Sequence, residues 1–251
     1  MRRGEGDDGT TGGSYRCVPP QALVNRLANP PLLSAAALET LQSDRLVVVD
    51  GAFDAQVISG AAKEMRYLVD QGALIGDPDD VCNPLQRSFD LPIWDKAIPT
   101  LIATHCPNLS HCIATILNLP SLFEKELNLS LRVPQIVMMA AYPPGAHYQR
   151  HFDSYGGRDI PRCVTVLLYI GWEPRQGGQL KCYPPVSREA SAAAKNGGVE
   201  PVGPSRLVDP VPGRLCVFFS QEVEHEVLPS SGERFALTLW IWSTEKDDKG
   251  R

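Results

Sequence analysis

The sequence is poor in the features that would send it to a membrane, a nucleic acid or an oxidising compartment. No apolar run approaches the ~18 residues that span a bilayer, so no membrane partner is expected. Positive charge is not in excess: 24 Lys and Arg stand against 29 Asp and Glu, a net charge of −5. That balance argues against nucleic acid or an anionic membrane surface as a main partner. The seven cysteines (Cys17, Cys82, Cys106, Cys112, Cys163, Cys182 and Cys216) are odd in number and form no C-x-x-C pair. Neither a disulfide framework nor a zinc knuckle is signalled. Cys163, Cys182 and Cys216 lie inside apolar runs and are expected as reduced core residues. Reduced thiols place the chain in the cytoplasm or nucleus. The start, "MRRGEGDDGTTGGSYRC", has no apolar stretch, so no secretory leader is expected. Residues 1–18 read as a disordered tail. No internal repeat is visible, and histidine is scarce, with five in the chain.

What is present is ordinary material for a folded protein. The 251 residues are 43% hydrophobic, enough to bury a core without disulfides or a structural metal. "SAAALETLQSD" reads as a helix with Ser34 as its N-cap, and residues 54–72 as an amphipathic helix capped by Asp54. "RLVVVDG" between them is a short strand. Residues 96–127 carry further helical periodicity broken by prolines. The stretch 76–95, rich in Asp, Pro and Asn, reads as a long loop, and loops of that length are often functional. From about residue 131 the period changes from helical to strand-like. "PQIVMMAAY", "RCVTVLLYIGW", "QLKCY", "RLCVFF", "EVEHEVL" and "RFALTLWIW" are separated by turn clusters. Residues 184–210 are mostly loop, with a strand near "SRLV". The fold class is therefore mainly β with an α flank: a sandwich, barrel or jelly roll of six to eight strands. The layout is one catalytic domain, with a support region over 19–130 and a β core over 131–245.

The chemistry begins at "HYQRHFD", residues 147–153. In a strand, His151 and Asp153 would share a face, so an imidazole nitrogen and a carboxylate oxygen could reach one metal ion. Alone, such a pair is as easily two surface residues. A third ligand is available in His225, within "VEHEV", flanked by Val223 and Val227. Two histidines and one carboxylate make a facial triad that leaves coordination positions open, the set used by non-haem Fe(II) oxygenases. Arg234 follows nine residues later and opens "RFALTLWIW". Phe235, Leu237, Leu239 and Ile241 form one apolar face of that strand. Arg234, Ala236, Thr238 and Trp240 form the other. A guanidinium there suits bidentate grip of a carboxylate, and Tyr169 could add a phenolic donor. The alternative is a solvent face with Arg234 exposed.

The order His-x-Asp, distant His, then Arg resembles the Fe(II)/2-oxoglutarate dioxygenases. Within them the chain is similar to the prolyl 4-hydroxylases, most of all the cytoplasmic oxygen-sensing, hypoxia-inducible-factor type. The similarity runs over roughly 133–243 and rests on "YPPGAHYQRHFD", "RCVTVLLYIGW", "GGQL", "GRLCVFFS" and "EHEVLPSSGERFALTLWIW". The resemblance implies a double-stranded β-helix (jelly roll) core supported by N-terminal helices. It implies Fe(II) on His151, Asp153 and His225, and 2-oxoglutarate on Arg234 and Tyr169 with Thr238 nearby. Tyr142, Leu180 and Trp240 would line the cosubstrate pocket. Arg162 would stand at the mouth, with Asp90 and Trp94 in the substrate-covering loop. O2 as cosubstrate, ascorbate as reductant and a proline-containing protein substrate follow from the same resemblance, with a monomer as the default state. Two other readings stay open: a 2-oxoglutarate oxygenase acting on a lysyl residue, a small molecule or nucleic acid, and a non-catalytic jelly-roll module with a structural divalent ion.

Overall fold

A computed structural model describes residues 32–76, 83, 85–93, 97–132, 134–154, 161–185 and 204–244. Helix α1 (Ala35–Asp44) leads into strand β1 (Leu46–Val49), and α2 (Ala55–Asp70) into β2 (Ile75–Gly76) and β3 (Arg87–Pro92). Three helices follow: α3 (Ala97–His105), α4 (Pro107–Ile116) and α5 (Leu119–Leu127). The remaining strands are β4 (Ile136–Tyr142), β5 (Tyr148–His151), β6 (Arg162–Gly171), β7 (Leu180–Tyr183), β8 (Arg206–Val208), β9 (Leu215–Phe219), β10 (Glu224–Val227) and β11 (Arg234–Trp242).

The strands form two antiparallel sheets. The major sheet runs β1-β9-β6-β11-β4-β3-β2 and the minor sheet β5-β10-β7-β8. Strand alternation sends one set of side chains from the major sheet to each side. Val137, Met139, Val166, Leu168, Val217, Leu237 and Leu239 pack outward, in one cluster with Leu41, Ile58, Met65, Leu109 and Phe123 of the helices. Ala140, Tyr142, Tyr169, Cys216, Phe218 and Ala236 turn inward and meet Leu180, Cys182, Val223 and Val227 beside the minor sheet. The central strands β4, β6, β9 and β11 are thus buried on both faces, which is why they read as nearly unbroken apolar runs.

The helices start where the sequence says they should. Ser34 Oγ accepts the Ala37 amide at 3.2 Å, and Asp54 accepts those of Gln56 and Val57, satisfying donors that a helix start leaves unpaired. The buried face of α2 repeats at Ile58, Ala61 and Met65, the spacing of an amphipathic helix. Helix α4 has Pro107 in its first turn, but its N-cap Cys106 offers no side-chain cap. Glu64, on α2, substitutes for it. Its carboxylate accepts the amides of Asn108 at 3.1 Å and Leu109 at 2.7 Å. The helices approach closely there because residue 60 is glycine; a Cβ would lie 2.4 Å from the Asn108 side chain.

Two expectations change. The stretch 76–95 is not one loop. Arg87–Pro92 is a strand whose six residues pair with Ile136–Ala141 of β4. Asp and Pro disfavour strands in isolation, but pairing and the burial of Leu91 override that preference here. Nor does the β core begin at 131, since β1 and β3 from the N-terminal region are integral to the major sheet. The strand near "SRLV" is present as β8, paired with β7. The tail 1–18, Trp94 and most of the 184–210 segment lie outside the described residues.

Because Glu64 carries the cap of α4 across a helix–helix contact, Glu64→Ala should lower stability by about 2 kcal/mol. Glu64→Gln should cost less, since its carbonyl oxygen still accepts. Urea unfolding followed by circular dichroism measures both.

Candidate active and metal site

Between the sheets lies a cavity of about 570 Å³ whose walls include His151, Asp153, His225, Arg234, Thr238 and Trp240. His225 and His151 are direct cross-strand partners on β10 and β5, and their rings lie 4.3 Å apart. His225 Nε2 is 3.9 Å from one oxygen of Asp153, and His151 Nε2 is 3.5 Å from the other. The three ligand-bearing atoms fall within 4.8 Å of one another.

The protonation states suit a metal. Each histidine Nδ1 faces a backbone carbonyl, Gln149 at 2.8 Å for His151 and Val223 at 3.2 Å for His225. A carbonyl can only accept, so Nδ1 carries a hydrogen and Nε2 is the nitrogen turned toward Asp153. Burial holds the His225 imidazole below its ordinary pKa, favouring the neutral ligand form. For Asp153, burial works against ionisation. The His151 contact, the charge of His225 and the Thr165 hydrogen bond outweigh it and hold the carboxyl at about 2.

Asp153 does not reach the site as the spacing argument supposed. Strand β5 ends at His151, and Asp153 lies in a bend beyond it. Its carboxylate is held from outside by the Thr165 hydroxyl at 2.7 Å, and its carbonyl by Arg162 at 3.3 Å. Sequence reading missed Thr165; its signal is a hydroxyl inside the apolar strand "RCVTVLLYIGW".

Arg234 is deep in the molecule, only 3% exposed. The β11–β4 register sets it opposite Tyr142, and its guanidinium stacks over that ring at 4.1 Å. Among the described residues its one hydrogen bond goes to the Gly178 carbonyl at 3.0 Å. Gly178 adopts φ +73°, and a Cβ there would meet Ser230 at 3.0 Å, so the "GG" at 177–178 serves the backbone that holds Arg234. Among the described residues no carboxylate forms an ion pair with it. Among the described residues the fully buried Tyr169 hydroxyl and Arg234 Nε also have no hydrogen-bond partner. Burial raises the Tyr169 phenol far above its usual value, so it remains a donor. A cavity-lining guanidinium with such a phenol behind it fits an incoming carboxylate.

The other candidate positions divide. Tyr142, Thr238, Leu180 and Trp240 line the cavity, with Thr238 and Leu180 buried. Arg162 also lines it, stacked on Trp240 at 4.1 Å. Asp90 is on β3 opposite Met138, outside that lining. Enclosure raises its carboxyl, and the charge of Arg162 pulls it partly back. Trp94 is outside the described residues.

With this geometry in hand, comparison with known proteins is decisive. Residues 137–242 match the model of the 2OG-Fe(II) oxygenase superfamily. The match covers less than half of the chain, and it contains the histidine–carboxylate cluster and Arg234. The cluster and the buried cationic pocket are of the kind that Fe(II) and 2-oxoglutarate, the pair in that superfamily's description, would fit. Among curated proteins similar to this chain, the Prolyl hydroxylase EGLN3 of Mus musculus is 32% identical over 114 residues, 43% of this chain and 41% of its own. The Hypoxia-inducible factor prolyl hydroxylase of Caenorhabditis elegans is 30% identical over 132 residues, 51% of this chain and 16% of its own. The chain therefore spans less than half the length of either. The crystal structure of a Pseudomonas putida prolyl-4-hydroxylase aligns with a TM-score of 0.63 at 28% identity, over 82% of this chain and 97% of that one. A Trichoplax adhaerens prolyl hydroxylase solved with a hypoxia inducible factor peptide shares the fold, with a TM-score of 0.63 at 23% identity over 85% of this chain and 88% of that one. The expected double-stranded β-helix with flanking helices is thus the fold of this chain.

The low Asp153 value has a stability consequence in the metal-free protein. A carboxyl at 3.8 when free and about 2 when folded contributes stability that is complete above the free value. That stability is lost as pH falls toward the folded one. The loss should amount to roughly 2 kcal/mol. Asp153→Asn should flatten that limb of the pH–stability curve between about pH 4 and pH 2, as read by urea unfolding at each pH.

Proposed function

We propose that this chain is an Fe(II)/2-oxoglutarate-dependent dioxygenase that hydroxylates C4 of prolyl residues in a cytoplasmic or nuclear protein. The observation that carries this reading is Arg234: a buried cation without a carboxylate partner among the described residues, in the same cavity as a histidine–aspartate–histidine cluster. A structural metal site has no use for such a cation, and its burial is costly unless an anion meets it. The prolyl substrate is supported by the names of the relatives, prolyl hydroxylases in mouse, nematode and bacterium.

His151, Asp153 and His225 would hold Fe(II), leaving one side of the ion open. When bound, iron and 2-oxoglutarate supply the O2-activating chemistry, with ascorbate as reductant. Arg234 and Tyr169 would bind the distal carboxylate of 2-oxoglutarate, with Thr238 beside them. Tyr142, Leu180 and Trp240 would wall the pocket and exclude water, which strengthens each of those contacts. Arg162, stacked on Trp240 and under the influence of Asp90, would stand where the prolyl peptide enters, with Trp94 nearby in sequence. The balance is simple: 2-oxoglutarate and O2 are consumed, CO2 leaves, one oxygen atom ends in succinate and the other on the prolyl carbon. Dependence on O2 suits an oxygen-sensing role, as in the hypoxia-inducible-factor relatives.

The test is succinate formation by the purified chain with Fe(II), 2-oxoglutarate and ascorbate, with and without a panel of proline-containing peptides. Turnover should rise with one peptide, and mass spectrometry should place a single added oxygen on its proline. Asp153→Ala should abolish turnover, and Arg234→Ala should raise the 2-oxoglutarate KM by at least about tenfold. A lysyl or small-molecule product would replace the prolyl reading. No turnover together with tightly held zinc would favour a non-catalytic metal module.

A further inference from the structure

The third metal ligand stands outside its own strand, and two hydroxyl groups account for where it stands. Thr165 is fully buried in the middle of β6, between Phe218 of β9 and Trp240 of β11. Ser220, immediately after β9, is also fully buried. A hydroxyl in such surroundings is costly unless it is bonded. Both are bonded, in sequence: Thr165 Oγ donates to Asp153 Oδ2 at 2.7 Å and lies 2.8 Å from Ser220 Oγ. The direction of the chain follows from proton counting. A carboxylate only accepts, so the single Thr165 hydrogen is committed to Asp153, and Ser220 must donate to Thr165. Hydrogen bonds in series polarise one another, so Ser220 strengthens the Thr165 contact without touching the carboxylate. The backbone of Ser220 binds the same bend. Its carbonyl accepts the Ser154 amide at 3.3 Å, and its own amide donates to the Cys163 carbonyl at 3.0 Å.

We infer that the Ser220–Thr165 relay is a positioning device for the metal carboxylate, engaging one oxygen of Asp153 so that the other is presented to the ion. The inference rests on the metal reading above. It concerns how that ligand is aimed, and neither Thr165 nor Ser220 is on the wall of the cavity. A carboxylate tied at one oxygen occupies one coordination position. Released, it is free to rotate or to bind through both oxygens, at the expense of a position the cosubstrate needs.

The probe is Co(II) added to the metal-free full-length chain, read by chelator competition for affinity and by visible d–d absorption for coordination symmetry. Circular dichroism and thermal melting report folding separately. Thr165→Val, close in shape but without the hydroxyl, should weaken Co(II) binding by about tenfold or more and change the absorption spectrum. Thr165→Ser should restore the wild-type spectrum with affinity within about threefold, and Ser220→Ala should weaken binding by roughly two- to fivefold. A folded Thr165→Val chain with wild-type affinity and spectrum would overturn the inference. Should that variant not fold, Ser220→Ala decides: unchanged affinity and spectrum would overturn it equally. A wild-type chain that takes up no Co(II) overturns the metal reading itself, and this inference with it. Uptake that is abolished by Asp153→Ala yet indifferent to Thr165 and Ser220 sinks this inference alone.

Discussion

The two-residue period of β11 is the constraint on which the rest of the structure depends. One set of its side chains, Phe235, Leu237, Leu239 and Ile241, is embedded in the core shared with the helices. The alternate set, Arg234, Ala236, Thr238 and Trp240, forms a wall of the cavity. Packing and function are therefore written into the same nine residues on opposite faces. The apolar face holds the strand in register, and the register sets Arg234 opposite Tyr142 and Ala236 opposite Tyr169. A slip of one residue would exchange the faces, sending the guanidinium into the helix-facing core and a phenylalanine into the cavity.

The same logic governs the electrostatics. Arg234 and Tyr169 are carried by strands that turn apolar side chains to the helices, so both are removed from water as the core forms. Removal from water pushes His225 toward neutrality and keeps the Tyr169 phenol protonated. Asp153 is driven to ionise against its own burial by the His151 contact, the positive charge His225 carries at acid pH and the Thr165 hydroxyl. The outcome is one anion, two imidazoles whose Nε2 atoms face it and a cationic pocket within one enclosure. That is the distribution a divalent ion and a dicarboxylate require.

Much of this was legible in the sequence, and the exceptions share a cause. Strand periodicity identified the two faces of β11, and cap residues Ser34 and Asp54 marked helix starts, because those are local signals. His225 and Arg234 could be linked to His151 through their order in the chain and the family resemblance it carries. Strand β3 was misread because "RSFDLP" takes its conformation from pairing with β4, a partner more than forty residues away. Thr165 was passed over for a similar reason: one hydroxyl in an apolar strand gains meaning only when folding brings Asp153 and Ser220 to it. The His-x-Asp spacing was recognised, yet its geometry comes from β6 and not from the strand that bears His151.

The place of β1 and β3 has a consequence for where this protein can be cut. The stretch that matches the superfamily, 137–242, omits the strands lying against β9 on one side and β4 on the other. Excised alone, it would expose two raw sheet edges, each a row of unpaired amides and carbonyls open to a second molecule. It would also bare the outward side chains that α2 and α4 cover. The recognisable unit and the folding unit are thus different objects. The residues that carry the chemistry lie inside the matched stretch, but they form a folded body only with the strands and helices that precede it.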